Sequence, residues 1–314
     1  MKRALPGRGW IAGLLLIVGV NAVVAGYGFI GTPDGSAVGI PQDWLEDSPF
    51  QDYLIPGVVL FAMGVLALVA ATLQLRRHEF AWAWSGVCGI GFVLWIIVQS
   101  VFMGSFRHPI QTTLQAVVSG IGVVVMVLSF QQYRHWHLRW GATEEEFRTA
   151  MPGDEHIEPA PFNPTRAITI DAPPEAVWPW LVQMGYGRAG FYSYDRLDNS
   201  GKASLDRIEP ALQDLKPGDR IPMAKGDSEE TAFLVASIHP PRSMVWTKRD
   251  SSWSWVLHPL PGGKTRLVTR IRLKYERNRL LPVSLLLMEG ADFPMMRKCL
   301  LGIKSRAEAH RGKP

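Results

Sequence analysis

The chain has 314 residues, of which 47% are hydrophobic and 19% charged, with a net charge of +5 and two cysteines. Its mean hydropathy of +0.05 averages two unlike halves, since residues 1–140 carry 14 charged side chains and residues 141–314 carry 47. The first half is too poor in charge for a soluble domain and the second is ordinary for one, which excludes a wholly soluble, a wholly embedded and a disordered chain.

Four charge-free apolar runs come first, at about residues 10–30, 54–73, 80–103 and 110–130. Each is long enough for a helix rising 1.5 Å per residue to cross about 30 Å of hydrocarbon. Lys2, Arg3 and Arg8 precede the first run, Arg76 and Arg77 lie in the second loop, and Arg134 and Arg139 follow the fourth run. The first loop has five acidic residues, including Asp47, and no basic one; the third loop has only Arg107. The positive-inside rule then puts both termini and the second half in the cytoplasm of a plasma or inner membrane. Trp82, Trp84, Trp136 and Trp140 stand at the inner interface. A cleaved signal peptide ending near Val23-Val24-Ala25 is the rival reading of the first run. It leaves the second half in the cytoplasm as well.

The runs contain no Asp, Glu, Lys, Arg or His, which argues against an ion-coupled pump. Gly57, Gly64, Gly86, Gly89, Gly91, Gly120 and Gly122 allow helices to approach closely. The half reads as a compact four-helix anchor, with a lipid-facing cavity as the alternative.

Several motifs lead nowhere. Gly26-Tyr-Gly28-Phe-Ile-Gly31 matches a dinucleotide fingerprint but closes an apolar helix instead of opening one after a strand. Gly201-Lys202 lacks the rest of a phosphate loop, and His135 and His137 flank Trp136 as interfacial anchors. Cys88 and Cys299 lie in different halves, with neither metal-ligand spacing nor a disulfide framework. The basic excess has no dense run, which argues against nucleic acid. No metal or cofactor is implied.

Residues 141–164 read as an acidic, proline-bearing linker without a core of its own. From Thr165, Arg166-Ala-Ile168-Thr-Ile170 alternates as a strand, and Pro173-Pro174 opens a helix over Pro174–Met184 in which Pro179 predicts a kink or an early end. A second short helix is expected at Ile208–Leu215. Strands are expected at Asp219–Met223, Thr231–Ile238, Ser243–Lys248, Ser252–Leu257 and Lys264–Glu276, separated by proline and glycine turns. In the last of these, Leu267, Thr269, Ile271, Leu273 and Tyr275 share the buried face, and Arg266, Arg270, Arg272 and Lys274 the wet one. Leu280–Met288 is apolar for a connection and suits a pocket cover or a dip into the bilayer. Asp292 is the expected N-cap of a last helix whose Phe293, Met296, Leu300 and Ile303 recur at helical spacing.

This order, with Thr165-Arg-Ala-Ile-Thr-Ile-Asp-Ala-Pro-Pro-Glu-Ala-Val-Trp178, Pro179-Trp180-Leu-Val-Gln-Met184, Phe191-Tyr-Ser-Tyr-Asp195 and Leu300-Leu-Gly-Ile-Lys304, resembles the SRPBCC superfamily of START-like and polyketide-cyclase-like proteins over about residues 145–309. The resemblance implies an α+β helix-grip domain at residues 165–310, an antiparallel curved sheet around a C-terminal helix, behind an all-α four-helix transmembrane region at residues 1–140. It implies a deep apolar cavity for a lipid or similar molecule and no shared catalytic motif.

Three functions follow as expectations. The first is a membrane-anchored module binding an apolar small molecule or lipid, its walls built from Trp180, Met184, Tyr192, Tyr194, Trp253, Trp255, Phe293 and Met296. The second is a cyclase or dehydrase, with Tyr194 and Asp195 as candidate acid and base near Tyr192 and Arg196. The third is a scaffold that docks a partner protein or anionic headgroups on the Arg266/Arg270/Arg272/Lys274 face.

Overall fold

The computed structural model describes residues 7–46, 48–102, 109–226, 228, 231–275 and 281–310. Lys2, Arg3, Asp47, Met103, Arg107, Glu276 and Leu280, which enter the sequence reading, lie outside the described residues. The chain divides into two units, Met1–Trp136 and His137–Pro314, and each is taken by itself.

The first unit holds helices α1 (Arg8–Gly31), α2 (Leu54–Leu75), α3 (Ala81–Phe102) and α4 (Pro109–Leu138). All four are long and apolar enough to cross a membrane. Only a helix satisfies every backbone group of such a run without water. The last one runs past the expected end at residue 130, because no Gly or Pro interrupts the chain before Gly141. In the α1/α2 pair a Cβ on Gly26 would stand 2.5 Å from the Phe61 amide nitrogen, and one on Gly64 2.7 Å from that of Val23. These glycines set the helix spacing, whereas Gly120 faces open space. At one end Ile11, Leu15, Ala67, Ala70, Ala71, Cys88 and Val125 form a tight core. Next to it the Gln74 amide donates to Ser85 Oγ and Gln132 Oε1, both at 2.9 Å. At the other end the first loop folds back, with Tyr53 stacked on Phe29 at 4.7 Å and donating to the Pro41 carbonyl.

The second unit contains α5 (Glu144–Arg148), β1 (Thr165–Ile170), α6 (Pro174–Val182), α7 (Asp195–Asp198), β2 (Arg220–Pro222), β3 (Ala232–His239), β4 (Ser243–Lys248), β5 (Ser251–Leu260), β6 (Lys264–Leu273), α8 (Leu281–Leu286) and α9 (Asp292–Ala309). The six strands form one antiparallel sheet in the order β1-β6-β5-β4-β3-β2, and α9 lies against β1 and α6. The unit is therefore α+β, as the element order predicts.

Three expectations need correction. Ile208–Leu215 forms only a 3₁₀ turn at Pro210–Leu212, because the amide of Glu209 and the side chain of Gln213 both bond to Gln183 Oε1 and hold the chain out of helix. Asp292 is not an N-cap: α8 and a π-helical turn, Leu287–Ala291, run into it with helical dihedrals, and its carboxylate instead meets Arg166 at 2.6 Å, both groups buried.

The third correction concerns residues 141–164, which are neither coreless nor detached. Ala142 and Met151 are buried against Ala167 and Val268 on the sheet face opposite α9. Arg270, expected in water, is 3% exposed; it pairs with Asp154 at 2.6 Å and donates to the carbonyls of Glu146, Phe147 and Thr149. Arg266 meets Glu146 at 2.7 Å and Arg272 donates to the Ile157 carbonyl. The arginine stripe is covered by the chain's own acidic segment, so most of it is closed to a partner or headgroup. Only Lys274 of the four is exposed.

Candidate functional site

Antiparallel register decides which side chains share a face, because directly paired residues project to the same side. Trp246 pairs with Trp253, Met244 with Trp255, Trp255 with Thr269 and Trp253 with Ile271. Three indoles from two strands therefore gather on the α9 side of the sheet. Their rings lie 4.9 Å (Trp253–Trp255), 5.3 Å (Trp246–Trp253) and 5.8 Å (Trp246–Trp255) apart. Phe191 stacks on Trp253, and Phe233 meets its ring edge-on. From the helix side Met296, Cys299, Leu300 and Ile303 of α9 complete the same buried cluster.

Of the expected wall residues, Trp180, Met184, Tyr192, Trp253, Trp255 and Met296 belong to this cluster. Two do not. Tyr194 is 41% exposed, with the Lys298 ammonium 4.0 Å from its ring centre. Phe293 is buried elsewhere, edge-on to Trp140 and beneath the Arg166 guanidinium. Trp246, Met244, Phe191 and Phe233 were missed by the sequence reading. The signal for Trp246 was present: Met244 and Trp246 share strand parity, as Trp253 and Trp255 do across the hairpin.

The polar groups around the cluster are mostly committed. Trp253 Nε1 donates to Thr269 Oγ1 at 2.9 Å, which itself donates to the Ser254 carbonyl. The Tyr192 hydroxyl donates to the Trp180 carbonyl and accepts from Gln183 Nε2, both at 3.0 Å; burial pushes this phenol well above its ordinary range. Tyr192 has a φ of 56° and α9 rests on its backbone, where a Cβ on Gly302 would lie 2.4 Å from the Tyr192 carbonyl oxygen. Asp195 accepts from Ser204 Oγ, which also receives the Tyr192 amide. The candidate acid and base are thus a surface ring and a loop-fixing carboxylate. Asp198, unforeseen, is 8% exposed, and burial followed by the charge of Asp195 pushes its carboxyl up.

Two polar groups stand out. Trp246 Nε1 and Trp255 Nε1 belong to completely buried indoles and have no hydrogen-bond acceptor. Buried N–H donors are nearly always paired, and each one left unpaired costs about 1–3 kcal/mol. Among the described residues, no group of three or more His, Cys, Asp or Glu side chains is placed to hold a metal ion.

No family model matches the chain, and no curated protein matches it. Solved structures similar to it include protein MLL2253 from Mesorhizobium loti, at 18% identity over 46% of this chain and 97% of that one, with a TM-score of 0.27. Another is the Polyketide_cyc-like protein Cgl2372 from Corynebacterium glutamicum, at 14% identity over 48% of this chain and 89% of that one, with a TM-score of 0.24.

Proposed function

We propose that residues 165–310 form a helix-grip domain of SRPBCC type that binds a neutral, largely apolar small molecule or lipid beneath α9. Residues 1–140 hold it at the cytoplasmic face of a plasma or inner membrane. The observation that carries this reading is the pair of acceptor-less indole N–H groups, Trp246 and Trp255, in the middle of an aromatic and methionine-rich interior. A ligand with a carbonyl or hydroxyl oxygen and an apolar body satisfies both donors and keeps the surrounding contacts. Met184, Met244 and Met296 are flexible, polarisable side chains that can re-pack around it. A tether at the bilayer suits such a ligand, which then need not cross bulk water.

Native mass spectrometry of the full chain, extracted in mild detergent, tests the reading. The expected result is a bound small molecule whose affinity falls about a hundredfold in the Trp246→Phe/Trp255→Phe variant, the loss of two good hydrogen bonds at about tenfold each. A chain that carries no small molecule, or a variant that retains it unchanged, overturns the reading.

A further inference from the structure

The four helices of the first unit are not packed to the same density along their length. Towards the N-terminus of α1 small residues close the core, as described. Towards the other end they leave a half-open cavity of about 520 Å³, a size typical of small-molecule sites. A cavity among the helices is the alternative that the sequence left open beside a compact bundle. Residues 17–29 of α1, 56–63 of α2, 92–99 of α3 and 111–121 of α4 contribute to its wall, and Trp44 and Tyr53 of the first loop stand at its end.

The chemistry of the wall is selective. None of the lining residues is charged, so a carboxylate, phosphate or ammonium bound there would be buried without a counter-charge. Its amide side chains are Asn21, Gln99, Gln111 and Gln115, and Trp44, Tyr53 and Trp95 add indole N–H and phenol groups; the Tyr53 hydroxyl is engaged with the Pro41 carbonyl. Gln111 and Gln115 sit four residues apart on α4, hence on one face. They are only 7% and 8% exposed. Asn21 is engaged with the Ile17 carbonyl of its own helix at 2.8 Å. The amide nitrogen of Gln115 has no acceptor. An unpaired amide donor in an apolar, water-poor setting is costly unless something supplies an oxygen.

We propose that this cavity is a second ligand site, distinct from the indole-lined interior, for a neutral single-chain lipid carrying a carbonyl. The Gln115 amide, itself closed off, turns toward the ligand so that the carbonyl oxygen accepts from its Nε2, and the chain lies along Val18, Ala22, Leu60, Phe92 and Val118. Two sources share that chemistry, an acyl ester and a prenyl-type quinone.

The full chain in nanodiscs is titrated with monooleoylglycerol, decylubiquinone and hexadecane, and bound mass is counted by native mass spectrometry. One carbonyl-bearing probe is expected to bind one-to-one and about tenfold more tightly than hexadecane; which one does so identifies the source. Gln115→Met, close in shape but without the donor, is expected to weaken that probe about tenfold. Ala22→Trp, which fills the cavity, is expected to abolish binding. An adduct that Trp246→Phe removes and Gln115→Met keeps sits in the other unit's interior and overturns the assignment to this cavity. Hexadecane binding as tightly as both carbonyl probes, no probe binding at all, or Gln115→Met binding like the parent overturns the proposal. The comparison with hexadecane uses the unaltered chain and stands even if a variant fails to fold.

Discussion

Asp154 and the buried Arg270 meet at 2.6 Å in a largely buried ion pair, 18% and 3% exposed respectively, that clasps the acidic segment to the back of the sheet. The guanidinium spends its remaining donors on Thr165 Oγ1 and three backbone carbonyls. Removing one partner of a buried pair leaves the other charge uncompensated. Asp154→Asn is therefore expected to cost about 3 kcal/mol, seen as a lower Tm of the full chain by near-ultraviolet circular dichroism. Arg148→Gln, which removes the exposed pair with Glu144, is expected to cost less than about 0.5 kcal/mol. Equal effects would contradict the role assigned to Asp154.

The same segment gives a pH dependence. Burial works to raise the Glu146 carboxyl, but the hydrogen bonds from Arg266 and Thr143 outweigh it and hold it below its ordinary 4.5. A depressed folded-state value means that the ionised form is favoured by folding. The contribution is complete above about pH 4.5 and is lost as the pH falls through the lower folded value. The Tm difference between the parent chain and Glu146→Gln is thus expected to be constant at neutral pH and to shrink below about pH 4.5. A difference that does not change with pH would contradict this.

Gly302 is the point at which α9 touches the backbone of Tyr192. A methyl group there meets the carbonyl oxygen at 2.4 Å and the Tyr192 Cβ at 2.7 Å, and the residue is tied down by its amide bond to Ser204 and its hydroxyl bond to Trp180. Gly302→Ala is expected to destabilise the second unit by about 2 kcal/mol, in the range of overpacked cores. Gly290, where an added Cβ would meet nothing within 4 Å, serves as control: Gly290→Ala is expected to leave stability within about 0.5 kcal/mol of the parent.

The proposed topology is checked by labelling with a membrane-impermeant maleimide, because both native cysteines are buried. In intact cells, Ser36→Cys in the exposed first loop is expected to react. Lys202→Cys, exposed in the second unit, is expected to react only after lysis. The opposite pattern would invert the orientation.

Much of this architecture was legible from local pattern. Four long apolar helices followed from uninterrupted apolar runs, and the strands of the sheet from parity, with ends off by a residue or a few. The arginine stripe misled because parity alone cannot say what covers a face. Yet Val268 stands among the arginines, and its lateral neighbours Ala167 and Val256 share that face. Three adjacent apolar side chains on a supposedly wet surface were the sign that something packs there. Arg166 is a different case: its parity with Ile168 and Ile170 puts it on the buried face, where Asp292 and the His137 carbonyl, both distant in sequence, receive its guanidinium.

Period and composition alone determined the division of labour, with four helices whose backbone can be satisfied in hydrocarbon and then an alternating sheet with a closing helix. These are properties of neighbours along the chain. Strand register brought Trp246 to Trp253 and Trp255, and the return of residues 141–164 put Asp154 on Arg270. The uneven filling between helices left Gln115 beside an open cavity. Such pairings depend on which distant groups meet, and whether a buried donor finds its acceptor is decided only when the whole chain has folded.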